Sequence, residues 1–177
     1  MTKTKSILAI LALSAASAGA SLAHAADISQ TSAISLTSGN SFFGRNFDLG
    51  NAGNTFTDRW DFATSGSVNF GAGVLSISPG AFDGLAITGL TLFNSAGLSL
   101  GGSQLSSGVA DVWRINTSGP LVADHYYLQI TGAVLNSAAS GYGGALNLAP
   151  VPEPATYGML LGGLGLLGYM ARRRKQG

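Results

Sequence analysis

The chain lacks cysteine altogether and carries little charge. None of its 177 residues is cysteine, and only 10% are charged, against roughly 25% in an average soluble protein. Without cysteine there is no disulfide, no thiolate metal site, no cysteine nucleophile and no lipid-accepting thiol.

The few charges are unevenly distributed along the chain. Residues 26–149 contain seven aspartates and three arginines, a net charge of −4, and the remaining six basic residues lie at the two ends. A mildly acidic body has nothing with which to displace the counterions of a phosphate backbone, so nucleic acid is excluded as a partner. The length fits one domain of ordinary size.

The first 25 residues have the pattern of a secretory signal peptide. Two lysines precede the apolar run 7–13, and Ala23 and Ala25 form an A-x-A cleavage site. The alternative is an N-terminal membrane anchor, but the small residues over 14–20 favour cleavage. We therefore expect export and a mature chain that begins just after Ala25.

The last 28 residues, 150–177, form a second segment that is distinct from the body. Residues 155–171 are uncharged and predict a helix of roughly 25 Å, at the short limit for a transmembrane span. A basic cluster follows and predicts a cytoplasmic stub over 172–177. Four glycines form a stripe that suits either generic membrane packing or recognition by a membrane enzyme. The cluster is Arg172, Arg173, Arg174 and Lys175, and the stripe is Gly158, Gly162, Gly165 and Gly168.

The motif Val151-Pro152-Glu153-Pro154 stands directly before this apolar segment. The motif, the glycine-rich span and the basic end together resemble the PEP-CTERM sorting signal of Gram-negative bacteria that make exopolysaccharide. The resemblance implies export through the inner membrane, transient anchoring there, and processing by an exosortase, followed by a cell-surface or extracellular location. The two prolines favour an extended segment that fits a cleft.

The body, residues 26–149, reads as short strands. Turn signals recur every 8 to 12 residues, which predicts an all-β fold, a single antiparallel β-sandwich of about seven or eight strands. Residues 56–62 alternate, with Phe56, Asp58, Trp60 and Phe62 expected on one face. Further strands are expected over 68–70, 74–77, 85–93, 111–115, 125–134 and 146–148, with a turn at 78–80 and a bulge or bend at Gly89.

A second resemblance rests on the body. Phe56, Asp58 and Trp60 are similar to the motif of FxDxF-family PEP-CTERM proteins, with Trp60 in place of the second phenylalanine. Residues 126–132 and 140–142 match a later Tyr-x-Leu-x-Ile-x-Gly strand and a Ser-Gly-Tyr sequence of that family. The resemblance implies a location and a fold rather than an activity.

Candidate chemistry in the body is sparse, and we predict that the protein is not an enzyme. After processing, His125 is the only histidine, and its neighbour Asp124 should point to the opposite face of a strand. Asp58 and Asp61 are the nearest pair of carboxylates, and their spacing also places them on opposite faces. For Asp58, pairing with an arginine or capping of backbone donors is the expected role.

Two binding options remain open from the sequence, and no cofactor is predicted. Asp48, Asn51 and Asn54, followed by Asp58, offer oxygens for calcium, but Asp, Asn and Gly are also the ordinary residues of turns. Exposed aromatic rings are typical of glycan-binding sandwiches, and Trp60, Trp113, Tyr126, Tyr127 and Tyr142 are available for stacking or for the core. The exposed member of the pair Tyr126 and Tyr127 is the preferred ring.

The sequence thus favours an exported, non-catalytic surface or matrix protein associated with exopolysaccharide or biofilm. The alternative is a carbohydrate-binding module that holds that polysaccharide. A secreted hydrolase is a distant third.

Overall fold

The computed structural model describes residues 25–36, 39–77, 84–152 and 154–174 of the chain. The predicted signal peptide up to residue 24, Ala23 included, lies outside these ranges, as do the turn at 78–80, Glu153 and Lys175. The described elements are β1 (Thr31–Ala33), β2 (Gly39–Phe47), β3 (Thr55–Thr64), β4 (Val68–Ile77), β5 (Leu85–Asn94), β6 (Ser99–Gly101), β7 (Ser103–Ser106), β8 (Val112–Asn116), β9 (Asp124–Val134), β10 (Ser140–Pro150) and α1 (Pro154–Arg174).

The ten strands form two five-stranded sheets, in agreement with the predicted sandwich. Sheet I has the order β1-β3-β9-β5-β6 and sheet II the order β2-β10-β4-β8-β7. All pairings are antiparallel except that of β1 with β3, which is parallel. The expectation of a purely antiparallel sandwich is therefore wrong at this edge.

The predicted number of seven or eight strands is also wrong. The edge strands β1, β6 and β7 are short and largely exposed, so they lack the period-two alternation that reveals a half-buried strand. The predicted strand over 146–148 is only part of β10, which begins at Ser140. Its glycines carry no hydrophobic pattern and conceal that strand in the sequence.

The alternation predicted for β3 is confirmed, and it forms the centre of the core. Phe56, Asp58, Trp60 and Phe62 are buried, while Thr57 and Arg59 are exposed and Asp61 is half-buried. Aromatic rings from both sheets meet in this layer. The contacts include Phe43 with Trp60, Phe56 with Tyr142, and Phe62 with Phe70, at ring-centroid distances of 5.6, 5.8 and 5.7 Å.

Two core glycines lie beneath aromatic rings of the neighbouring strand. Gly132 is the register partner of Phe56, and Gly144 is the register partner of Phe43. A Cβ atom at either glycine would come within 2.4 Å of the Cζ atom of that ring. The ring occupies the space that a side chain would take, so part of the high glycine content serves core packing.

The irregularity expected at Gly89 is confirmed as a shift in register between β5 and β9 at Ile87 and Gly89. Ile87, at the start of this shift, bonds to the opposite side of the sandwich through both of its backbone groups. Its N–H donates to Oδ2 of Asp111 at 2.8 Å, and its carbonyl oxygen accepts from Nε1 of Trp113 at 2.9 Å. Asp111 and Trp113 belong to sheet II or its loops, so the bulge ties the two sheets together.

The C-terminal segment is helical, as predicted, and α1 extends from Pro154 to Arg174. Within the described part of the chain, no helix has the length and apolar content that crossing a membrane requires. The prediction of a transmembrane span over 155–171 is therefore not supported. The glycines of α1 lower its apolar content because they have no side chain, and Arg172, Arg173 and Arg174 add charge to its last turn.

Candidate functional site

The sorting segment begins where the sandwich ends. β10 is a central strand of sheet II and runs to Pro150. The N–H of Val151 still donates to the carbonyl oxygen of Ser67 at 2.9 Å, and Pro152 is exposed. α1 then starts at Pro154, a position at which proline is favoured because its missing N–H would have no helical partner. The segment is thus placed for access, outside both sheets.

The predicted glycine stripe lies on an exposed helix. The described side chains from 155 to 174 are exposed, and a Cβ atom at Gly158, Gly162, Gly165 or Gly168 would have nothing within 4 Å. Arg172, Arg173 and Arg174 form the last turn, where positive charge complements the helix dipole.

The body starts immediately after the predicted signal cleavage site. Ala25 is exposed, whereas the N–H of Ala26 donates to Oδ1 of Asn54 at 2.9 Å. The carbonyl oxygen of Ala26 accepts from the N–H of Thr55 at 3.0 Å. The first residue of the expected mature chain is therefore already part of the fold.

Asp58 is the centre of a buried polar network that joins the two sheets. Its carboxylate is fully buried and accepts from Nη1 of Arg45 at 2.6 Å and from the hydroxyl of Tyr142 at 2.6 Å. Oδ1, the oxygen that binds Arg45, also accepts from the N–H of Gln30 at 2.9 Å. The role predicted for Asp58, pairing with an arginine and binding a backbone donor, is confirmed.

Trp60 and Tyr142 complete this network. Nε1 of Trp60 donates to the hydroxyl oxygen of Tyr142 at 3.0 Å, and that hydroxyl in turn donates to Asp58. Burial, together with the hydrogen bond to Asp58, raises the pKa of Tyr142 well above its usual value. Both rings belong to the core and are closed to a ligand.

The loop considered for calcium is built as a turn. Gly50 and Gly53 adopt positive φ angles of 89° and 83°. Nδ2 of Asn51 donates to the carbonyl oxygen of Asp48 at 2.8 Å, and Oδ1 of Asn51 accepts from Nδ2 of Asn54 at 3.3 Å. Among the residues that the structure describes, no group of three or more His, Asp or Glu side chains could hold a metal. These bonds favour the turn interpretation.

Asp124 and His125 do not come together as an acid–base pair. Oδ1 of Asp124 accepts from the backbone N–H of His125 at 2.7 Å, and Oδ2 accepts from the N–H of Ser95 at 3.4 Å. The pKa of Asp124 is lowered by its hydrogen bonds to Ser95 and to the His125 backbone. The carboxylate therefore binds backbone donors.

The tyrosine pair separates as expected: Tyr126 is buried, whereas Tyr127 is half-buried and lines a small pocket with Arg59, so glycan stacking on Tyr127 stays a prediction. Tyr126 is only 6% exposed and its hydroxyl donates to the carbonyl oxygen of Val122, so its predicted glycan stacking is wrong. Tyr127 lies on the outer face of sheet I. Phe93 stacks on it at a centroid distance of 4.8 Å, and the guanidinium of Arg59 lies 3.9 Å from the ring centre.

An open trough of about 950 Å³ lies on the outer face of sheet II. Sequence reasoning missed this feature because its residues come from five strands, most of them distant from one another in the chain. The only local signals are exposed Phe42 beside buried Phe43 in β2, and the alternating glycines Gly71 and Gly73 in β4.

Comparison with known proteins identifies the tail. The family model for the PEP-CTERM protein-sorting motif matches residues 150–175. The tail thus carries the PEP-CTERM sorting motif, as the sequence predicted, while membership of the FxDxF group stays a prediction. No curated protein matches the chain.

Two solved structures share a general likeness with the body. One is the pre-peptidase C-terminal domain of collagenase from Bacillus anthracis, with 14% identity, a TM-score of 0.38, and coverage of 68% of this chain and 95% of that one. The other is PliG, a periplasmic inhibitor of g-type lysozyme from Aeromonas hydrophila, with 12% identity, a TM-score of 0.37, and coverage of 70% and 99%. Likenesses at this level have no bearing on function.

Proposed function

We propose that this chain is a non-catalytic surface or extracellular-matrix protein of a Gram-negative bacterium, associated with exopolysaccharide or biofilm. It is exported, held briefly at the inner membrane, and processed by an exosortase at its C-terminal motif. The observation that carries this proposal is the position of the motif, which starts at Pro150, the last residue of β10.

The geometry supports processing because the tail can be removed without loss of sheet structure. Every strand of both sheets ends before Val151. Cleavage beyond Pro152 would break none of the ladder hydrogen bonds, so the released body would keep its fold.

The non-catalytic role is supported by the use of the carboxylates. Asp58 accepts from Arg45, Tyr142 and a backbone N–H, and Asp111 accepts from the N–H of Ile87. A general acid or base must reach the atom that it protonates or deprotonates, whereas these buried groups face the interior and stabilise it.

The experiment is the intact mass of the protein recovered from the native cell surface and from the culture fluid. We expect a chain that starts just after Ala25 and ends between residues 150 and 156. A membrane-bound chain that retains residues 172–174 would contradict the proposal and make the tail a permanent anchor.

Variants of the motif test whether the motif directs processing. Pro152→Ala combined with Glu153→Ala should leave the full tail in place, because the segment loses its extended shape and its charge. Pro120→Ala, the same kind of change in a loop of the body, is the matched control and should be processed normally. Equal processing of both variants would refute a role for the motif.

A further inference from the structure

The trough on sheet II has a regular layout that follows from strand register. Phe42, Ala145, Gly73 and Arg114 are successive register partners across β2, β10, β4 and β8. With about 4.8 Å between neighbouring strands, Phe42 and Arg114 stand roughly 14 Å apart at the two ends of one row. The small residues between them form an open floor.

A second row runs alongside and is rich in carboxamides. Asn40, Asn147, Gly71 and Asn116 are register partners in the same four strands. They lie two residues further along, roughly 7 Å from the first row. Nδ2 of Asn147 donates to Oδ1 of Asn40 at 2.8 Å, which fixes the orientation of both amides beside the floor.

Arg114 makes the trough electrostatically distinct from the rest of the body. Of the three arginines in residues 26–149, Arg45 is paired with Asp58 and Arg59 with Asp61, both at 2.6 Å. In the described part of the chain, no ion pair involves Arg114. None of the residues that line the trough is acidic, so one cation faces an open surface in a body of net negative charge.

Apolar groups at both ends of the trough are exposed to solvent. Phe42, at the end opposite Arg114, is 78% exposed, and Leu75 in β4 and Leu105 in β7, on the Arg114 side, are also exposed. An exposed ring opposite a cation, with amides between, suits a ligand that has apolar C–H faces, hydroxyl groups and negative charge. A peptide strand is less suited to the floor, because β4 and β10 are paired on both sides and a peptide could add only at the outer edges of β2 and β7.

We propose that this trough binds an extended polysaccharide strand that carries carboxylates, such as a polymer of uronic acids. Arg114 pairs with a carboxylate, the ring of Phe42 packs against the C–H face of a sugar, and the amide row accompanies the hydroxyl groups. This inference deepens the proposed association with exopolysaccharide and rests on it.

The test uses the mature protein and two forms of one polymer. Polygalacturonate supplies the carboxylates, and its fully methyl-esterified form has the same backbone without the charge. We expect saturable binding of polygalacturonate by calorimetry and at least about tenfold weaker binding of the ester, because the charge-assisted contact is lost. Equal affinity for the two polymers, or no binding of either, would overturn the proposal.

Arg114→Gln should weaken binding of polygalacturonate by about tenfold and leave binding of the ester unchanged. Arg59→Gln is the matched control, since it removes the same charge from the opposite sheet and should change the affinity less than about twofold. Equal losses in the two variants would indicate a general charge effect and refute the site.

A third variant fills the trough without disturbing its walls. A Cβ atom at Gly73 would have only the carbonyl oxygen of Trp113 nearby, at 3.5 Å, so Gly73→Val should fold with an unchanged urea midpoint. It should nevertheless lose binding of polygalacturonate, as should Phe42→Ala, whereas Leu49→Ala at another exposed site should not. Retained binding in Gly73→Val would refute the location.

One further probe, poly-glutamate, distinguishes a polysaccharide ligand from an acidic polypeptide. Poly-glutamate that bound as tightly as polygalacturonate, with the same dependence on Arg114, would overturn the assignment to a polysaccharide. These results are independent of the mass experiment: a normally processed protein that binds no polyuronate refutes this site alone.

Discussion

Replacement of Asp58 by alanine should destabilise the protein strongly, because this carboxylate is a buried hub. The Asp58 side chain is fully buried and that of Arg45 is 19% exposed. Removal of the carboxylate leaves three donors, from Arg45, Tyr142 and Gln30, without their acceptor. Loss of one partner from a buried ion pair typically costs about 3–5 kcal/mol.

The matched control is the second Arg–Asp pair, whose two residues both belong to β3, the strand that carries Asp58. Arg59 and Asp61 are also 2.6 Å apart, but their side chains are 47% and 36% exposed. Pairs of this kind contribute about 0–1 kcal/mol. Since the two distances are equal, the difference between Asp58→Ala and Asp61→Ala measures the combined effect of burial and of the two further hydrogen bonds that Asp58 accepts.

The assay is urea unfolding followed by tryptophan fluorescence. With an m value of about 1.5 kcal/mol/M, Asp58→Ala should lower the midpoint by about 2–3 M, and Asp61→Ala by less than about 0.7 M. If Asp58→Ala does not fold at all, Asp58→Asn keeps the volume and should cost about 1.5–3 kcal/mol. Equal midpoints for the variants at 58 and 61 would refute the reasoning.

Three further predictions follow from named contacts. Burial and a carboxylate hydrogen bond raise the pKa of Tyr142, so the folded state holds this proton more tightly. That contribution to stability is complete below about pH 10 and declines above it by up to about 1.4 kcal/mol per pH unit. Tyr142→Phe should therefore lose less unfolding free energy than the unchanged protein between pH 9 and pH 11. Identical dependence of stability on pH in the two proteins would contradict this. Gly132→Ala should cost at least about 1–3 kcal/mol by urea unfolding, because its Cβ would lie 2.4 Å from a backbone oxygen, while Gly73→Ala should stay within about 0.5 kcal/mol. A chain ending at Pro152 should have the same free energy of unfolding in urea as the full chain. A value lower by more than about 1 kcal/mol would show that the tail stabilises the body.

Much of the fold was accessible from local pattern. The alternation over 56–62 placed Asp58 among buried aromatics, and a lone carboxylate there needs a cation or backbone donors. Gly89 inside a strand pattern indicated the bulge. The short edge strands were missed because exposed residues such as those of β6 and β7 give no periodic signal.

The surroundings of the tyrosine pair could not be predicted from local pattern. The sequence directed attention to Tyr126 and Tyr127 because they are aromatic and adjacent, and alternation showed that one must face outward. It did not show that Arg59 and Phe93 stack on Tyr127, since those partners come from β3 and β5, which flank β9 in the sheet but lie more than 30 residues earlier in the chain.

The sorting motif could be recognised from the sequence itself, because it is one contiguous segment, residues 150–175, and includes no residue from the body. The strand periods of the body were likewise local. Only the tertiary structure decided that Arg45 neutralises Asp58, that Arg59 pairs with Asp61, and that Arg114, which has no ion pair among the described residues, lies in a trough with Phe42. Those outcomes depend on the register between strands distant in the chain, and a shift of one residue would turn each side chain to the opposite face.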